Sequence, residues 1–471
     1  MNRTRRIAAN LSYLFIGEGI SVVLAFMTTI WLARRLTDEG FGRLAYVQSI
    51  IMYFAILIDL GLAVFGTREI ARQPAEARRI GVNIFAIRMS IAATIVLLFF
   101  LLVFFLPLNL EMKLLLAFGS LALLTQALNP EFLFQGLERM GGIALWRILI
   151  HGLYLLPVLL FVHSRQQLVL TPVFRFAAEG LSVVVVFSLI RRQLPGSWRA
   201  GLDLSLWPRY VKESVVIAMA VLVMRLYYSF DTLMLGALDQ PEVVGWYSAA
   251  LKIAQLLLVA GSLIQASFAP FLVKESASPE RMDAVVLRFG VLLTIIGGLA
   301  SGVILLSNKF IVTTLYGTGY HRAEAPLMIL CLATLVNYMA TTFSGALIFG
   351  GRQKAFLTIV IAATVMNVAL NVALIPRFSY MGAAWANLGF NIAFLGLGIK
   401  AYSQIGRSLR VLRHLAFICL AYGVLAFAVF QWPVHPLWRA SAFALGFSAL
   451  MGLVYRAHLT AFVANVRRRS G

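Results

Sequence analysis

Ten charged side chains fall within long apolar runs of the sequence: Glu18, Asp59, Arg88, Glu131, Arg147, Arg175, Glu179, Arg225, Asp231 and Lys252. A charge at the centre of a bilayer costs about 2.5–3.5 kcal/mol on insertion scales, so such groups face other helices or a wet cavity. Arg225 lies mid-run, where snorkelling to either surface is hard. Its guanidinium offers five fixed donors, a set suited to a diphosphate. Tyr228, three residues on, shares its helix face. A carboxylate on a neighbouring helix would satisfy Arg225 equally well. Lys252, Arg88 and Arg147 are further candidates for an anion-binding cavity, although each is close enough to a run end to serve as an interface anchor.

The acidic members have different expectations. Glu18, flanked by Gly17 and Gly19, could carry a coupling proton or sodium ion, or offset a cavity arginine. Asp59 precedes Gly61, and a capping role or pairing near Arg68 competes with ion coupling. Arg175 and Glu179 stand four apart on one helical face and form a self-satisfied pair, with ion coupling as the alternative for Glu179. Asp231, six residues after Arg225, points elsewhere and packs between helices. Asn367 and Asn371 share a face, as do Asn387 and Asn391. Asparagine hydrogen-bonds sugars, and it also bridges helices in membranes. The six histidines show no metal or catalytic spacing, and Cys331 and Cys419 lie inside apolar runs. The residues therefore point to no cofactor, no metal and no catalytic set.

Helices must position these groups. The 471 residues are 61% hydrophobic and only 13% charged, against about 25% charged in an average soluble domain. That excludes an ordinary soluble enzyme and a disordered chain. The net charge of +21 would suggest nucleic acid in a soluble protein. Here the basic residues punctuate apolar runs, so membrane lipids are the expected partner and nucleic acid is not.

A spanning helix needs about 20 apolar residues. Fourteen stretches qualify: 11–33, 43–65, 83–106, 113–135, 142–162, 168–190, 211–237, 244–268, 287–310, 325–349, 355–376, 381–400, 412–431 and 437–458. The expected fold is therefore all-α and polytopic. With both termini cytoplasmic, most loop Lys and Arg fall on the inner side; Arg34, Arg35 and Arg43 are local exceptions. The N-terminal run is too long for a signal peptide and reads as the first span. The longest connection, 191–210, has no room for a catalytic domain.

A shift of 203 residues aligns Thr29, Leu32, Glu39 and Gly42 with Thr232, Leu235, Glu242 and Gly245. Both stretches end one span and begin the next. Six-helix parallel repeats follow, a transporter signature with substrate at the interface, unless two outer hairpins converged on similar turns. The expected division is an N-terminal lobe at 1–190, a cytoplasmic linker at 191–210, a C-terminal lobe at 211–400, and two added helices with a basic tail at 401–471.

Several motifs resemble bacterial polysaccharide flippases of the Wzx type. They include Leu32-Ala33-Arg34-Arg35-Leu36 with Gly40-Phe41-Gly42, and Asp59-Leu60-Gly61-Leu62 with Gly66-Thr67-Arg68-Glu69. The stretch Asn129-Pro130-Glu131-Phe132-Leu133-Phe134-Gln135-Gly136 through Met140 fits best, with Phe132 where the family often has Trp. Asp231 through Gly236, Val244 through Ala250, Leu315-Tyr316-Gly317 and Asn371 through Pro376 with Gly382-Ala383-Ala384 fit too, so the resemblance covers about residues 10–400. It implies membership of the multidrug/oligosaccharidyl-lipid/polysaccharide exporter superfamily. It also implies a two-lobed bundle that moves a polyprenyl-diphosphate-linked oligosaccharide across the inner membrane by alternating access. That activity would serve O-antigen, exopolysaccharide or capsule synthesis, beside a glycan polymerase and a chain-length regulator, with H+ or Na+ as coupling ion.

Three rivals are kept. A drug exporter of the same superfamily would have a cavity dominated by acidic residues, whereas basic residues are expected at least to equal them here. A flippase for the peptidoglycan lipid precursor shares fold and chemistry. A glycan polymerase or ligase needs a large outer loop, which this sequence lacks.

Overall fold

The computed structural model describes the backbone of residues 3–194, 201–275, 278–404 and 410–470; the side chains of 3–12, 14, 193, 216–228, 270, 279 and 457–470 lie outside the described residues. Among the described residues no strand occurs and the elements are helices. They are α1 (Arg3–Asp59), α2 (Leu62–Arg72), α3 (Ala77–Phe105), α4 (Leu110–Ala127), α5 (Glu131–Gly136), α6 (Met140–Phe161), α7 (Leu170–Gln193), α8 (Trp207–Leu238), α9 (Pro241–Lys274), α10 (Pro279–Leu306), α11 (Asn308–Tyr316), α12 (Glu324–Phe349), α13 (Gln353–Gln404), α14 (Arg410–Phe430) and α15 (Pro436–Ser470).

Among the described residues eleven stretches are long and apolar enough to cross a membrane. Two of them break internally. Thr37 (φ 63°) divides α1, and Ser379 (φ 52°) divides α13, each at a left-handed backbone residue. Each broken stretch holds two of the apolar runs, and α8 covers the run at 211–237. Each of the fourteen runs lies mainly on helix, with 43–65 interrupted at Leu60–Gly61 and 113–135 at Leu128–Pro130, and the chain is an all-α polytopic membrane protein.

The chain divides into two compact units, Met1–Gly245 and Trp246–Gly471. In the first, α6 runs along α1, α4 packs on α3 and α7, and α2 packs on α5 and α8. Its core gathers Phe65, Ile84, Phe85, Phe132, Trp146 and Tyr210. This boundary differs from the one read from the repeat, because α8 packs on α1 and α2. The segment before α8 is fastened to α3 by the fully buried Asn83. Its Nδ2 donates to the Gly201 carbonyl (2.9 Å), and its Oδ1 accepts from the Asp203 amide (2.9 Å) and the Trp207 indole (3.2 Å). In the second unit α12 packs along α13 and α10, and α10 also packs on α14 and α15. Two apolar clusters form its interior, one around Phe289, Phe343 and Tyr402, the other around Tyr422, Phe443 and Phe447.

Candidate functional site

The motif from Asn129 to Gln135 builds one wall of a cavity in the first unit. Asn129 Oδ1 accepts the Glu131 amide at 2.9 Å, which supplies the capping bond that starts α5. Phe132 is buried in the core, against Phe85. Helix α5 lasts less than two turns before Glu138 takes a left-handed conformation (φ 55°). Glu131 and Gln135 line the cavity from this helix.

A second motif supplies the adjacent wall. Leu60 and Gly61 both have positive φ, so the chain turns sharply between α1 and α2; the glycine suits its φ of 75°. Asp59 Oδ1 accepts the Ala63 amide (3.2 Å) and meets Arg88 Nη2 at 2.9 Å. Asp59 is thus both cap and ion-pair partner, with Arg88 rather than the Arg68 that sequence proximity suggests. Arg88 is almost fully buried and also donates to the Asn129 carbonyl (3.3 Å); its Nε has no hydrogen-bond partner.

Two further pairs complete the charge set. Arg147 on α6 donates to both oxygens of Glu131, at 2.8 and 3.0 Å, and its Nη1 also reaches Glu18 on α1. Gly17 makes this possible: a β-carbon there would collide with the Ala144 backbone, so α1 and α6 approach closely one turn from Arg147. Arg175 pairs with Glu179, which also accepts from Thr125, and stacks over Tyr154 at 5.5 Å.

These groups surround a cavity of about 520 Å³ between α1, α3, α4, α5 and α7, and a second of about 450 Å³ against α1, α4 and α6. Gln126, Asn129, Glu131, Arg175 and Glu179 line both. The charged lining comprises Arg88, Arg147 and Arg175 with Glu18, Asp59, Glu131 and Glu179. Every arginine has a carboxylate partner, and carboxylates outnumber arginines by one. The same lining includes Gln48 and Gln126, uncharged amides that charge-counting along the sequence passed over.

Other sequence candidates lie elsewhere. Arg225 and Tyr228 fall on α8, but their side chains are outside the described residues. Lys252 is on α9 in the second unit, with its side chain exposed. In that unit Asn367 donates to the Ala386 carbonyl (3.3 Å), linking the two halves of α13, and Asn371 donates to Asn367 Oδ1 (3.1 Å). Asn391 donates to Asn387 Oδ1 (3.1 Å), while Asn337 on α12 donates to Asn391 (2.8 Å). Asn367 and the Asn337–Asn391 pair thus bridge helical segments, while Asn371 and Asn387 bond within their own segment. Asp231 is buried, and its Oδ1 accepts the Thr232 amide at 2.7 Å.

Arg43, Arg165 and Arg35 also find partners. Arg43 meets Glu39 (2.6 Å) and Glu111 (2.8 Å), and Arg165 meets the same two carboxylates at 3.2 and 2.8 Å. Arg35 lies over the Trp31 ring at 4.6 Å. Arg43 and Arg165 are thus neutralised in place. The hydrogen bond from Arg165 to Glu111 holds the Arg165 guanidinium above its usual pKa.

Residues 7–276 match the family described as polysaccharide biosynthesis protein. This chain belongs to that family. The match spans the first unit from residue 7 onward, including the cavity-lining motifs. A protein of Escherichia coli (strain K12) named "Putative O-antigen transporter" is 24% identical over 385 residues, 80% of this chain and 91% of that one. Among solved structures, the lipid II flippase MurJ in an inward closed conformation superposes with a TM-score of 0.74 at 13% identity, covering 95% of this chain and 99% of that one. An inward-facing multidrug resistance MATE family transporter of the MOP superfamily gives 0.64 at 15% identity, covering 82% and 95%. At these identities the two structures establish a shared fold. This family member is a multi-pass membrane transport protein of polysaccharide biosynthesis.

Proposed function

We propose that this protein is a flippase that carries polyprenyl-diphosphate-linked oligosaccharide across the bacterial inner membrane, with both termini in the cytoplasm. The observation that carries the reading is a polar, charge-lined cavity inside a bundle of membrane-spanning helices, built by the motifs of the polysaccharide biosynthesis family. The similarity to an O-antigen transporter supports the substrate class. A catalyst would need reacting groups, whereas the charged side chains of this cavity are spent on one another.

Transport would proceed by alternating access between lobes at 1–190 and 211–400, joined by the 191–210 linker, with 401–471 as an addition. Arg225, in mid-helix on α8, is the diphosphate anchor in this reading, because Arg88, Arg147 and Arg175, the arginines that line the cavities of the first unit, are already paired. The polyprenyl tail stays in lipid. Glu18 and Asp59 are the candidates for ion coupling, and the pairing of each with an arginine gives protonation or sodium binding a direct effect on that arginine. A polymerase and a chain-length regulator would act on the delivered unit.

The test is complementation in a strain lacking this protein. Wild type should restore surface glycan. Arg225→Ala, at equal protein level, should abolish it, and Arg225→Lys should restore part. Failure of the wild-type chain to restore any glycan overturns the flippase reading; full display with Arg225→Ala removes only the anchor.

A further inference from the structure

The charges of the first unit's cavity are matched internally, but two of its amides are not. Gln48 on α1 and Gln126 on α4 both line the larger cavity, and Gln126 lines the smaller one as well. Neither side chain has a hydrogen-bond partner among the described residues, and Gln48 is exposed within its helix surroundings. Gln135, from α5, accepts only a long bond of 3.4 Å from Thr67. A primary amide at membrane depth costs free energy unless something in the cavity bonds to it. That occupant must both donate and accept, since an amide carries two donors and two acceptor lone pairs. Hydroxyl groups do both. Phosphate oxygens at neutral pH mainly accept, and a diphosphate would compete with carboxylates for arginines that are already bonded.

We infer that the first unit's cavity is the glycan subsite of the flippase, with Gln126 and Gln48 reading an uncharged, hydroxyl-rich part of the oligosaccharide, while the diphosphate is held outside this cavity. The inference rests on the flippase reading above and divides its substrate between two places. Formal charge supports the division: Arg88 and Arg175 face Asp59, Glu131 and Glu179 in the larger cavity, and Arg147 faces Glu18 and Glu131 in the smaller one, so a further anion finds no unpaired cation. Size supports it as well, since about 520 Å³ lies within the usual range of small-molecule sites. Gln126, common to both cavities, is the central specificity contact, and Gln48 lines the larger cavity from α1, which packs on α4.

The experiment uses purified full-length protein in vesicles and two substrates. One is a polyprenyl diphosphate bearing a single hexosamine. The other is the lipid-linked repeat extracted from cells that lack this protein. Gln126→Leu with Gln48→Leu should slow translocation of the full repeat about tenfold, as expected when a polar substrate loses its hydrogen-bonding partners. The single-sugar lipid should move within about twofold of the wild-type rate, because its diphosphate is bound elsewhere. Gln126→Asn, which keeps the amide, should recover part of the loss. A thermal unfolding scan of each variant separates misfolding from lost recognition. Equal slowing of both substrates in folded variants, or no slowing of either, overturns the inference. If wild type moves neither substrate, the flippase reading fails instead; binding of the free oligosaccharide to the protein, weakened by Gln126→Leu or not, then still decides the subsite.

Discussion

Arg147 grips Glu131 with two parallel hydrogen bonds, of 2.8 and 3.0 Å, and reaches Glu18 with its remaining nitrogen. One guanidinium thereby joins α1, α5 and α6. Removing it leaves two carboxylates facing each other with no cation between them. Arg147→Ala should lower the stability of the detergent-solubilised protein by about 1.5–3 kcal/mol, the range for hydrogen bonds to charged groups. Arg147→Lys should recover little, since an ammonium cannot form the bidentate fork. The exchange Arg147→Glu with Glu131→Arg should cost less than the two single changes added together. Thermal unfolding of the five variants (Arg147→Ala, Arg147→Lys, Arg147→Glu, Glu131→Arg and the double exchange) measures these effects.

Gly17 and Gly19 look alike in sequence and differ in structure. A β-carbon at Gly17 would collide with Ala144, including its backbone, while Gly19 has nothing within 4 Å. Gly17→Ala should destabilise by about 1–3 kcal/mol through overpacking and disturb the contact of Glu18 with Arg147. Gly19→Ala should be neutral or stabilising by up to about 1 kcal/mol, the helix-propensity gain. Unfolding midpoints of the two variants should move in opposite directions or differ clearly in size.

Gly42 and Gly245 make a reciprocal contact. A β-carbon on Gly42 would strike the Pro241 carbonyl, and one on Gly245 would strike the Asp38 carbonyl. The shift of 203 residues that aligns the two hairpins carries one contact onto the other. Backbone cannot move aside as a flexible side chain can, so Gly42→Ala and Gly245→Ala should each cost about 1–3 kcal/mol and by similar amounts. Gly423→Ala, with open space around it, is the control. Similar unfolding losses for the first two and none for the third is the expected pattern.

These particulars show where the sequence was legible. Helix existence followed from the length of the apolar runs, because a spanning helix must be long and apolar. Arg175 with Glu179 was readable because four residues on a helix are neighbours. The partners of Arg88 and Arg147 were not: Asp59 and Glu18 lie on other helices, and only tertiary packing selects them from several nearby carboxylates. Asp59 illustrates this, since Arg68 is nearer in sequence but meets Glu69 and Glu213 instead. The kinks at Thr37 and Ser379 carry no glycine to announce them. Gln48 and Gln126 were invisible for a different reason, because a search for charge passes over neutral amides.

Asp203 gives a pH prediction. Hydrogen bonds from Ser205, with the Arg79 ion pair at 2.9 Å, hold its carboxyl below the ordinary carboxylate range. A depressed folded pKa stabilises the charged form, so the contribution is complete above about pH 4, the ordinary value, and is lost as pH falls through the lower folded value. The protection factors for amide exchange in residues 201–206, taken against the intrinsic rate at each pH, should therefore fall on acidification in wild type. In Asp203→Asn the protection should be lower at neutral pH and change less.

The decisive measurement is leaflet exchange by the purified protein. Vesicles carrying lipid-linked oligosaccharide on one leaflet are scored by accessibility of the glycan to an external probe. This protein should bring the glycan to the opposite leaflet without changing its length, and Arg225→Ala should not. Glycan that grows longer would mean a polymerase, and glycan that stays on its original leaflet with active, folded protein would contradict the flippase reading.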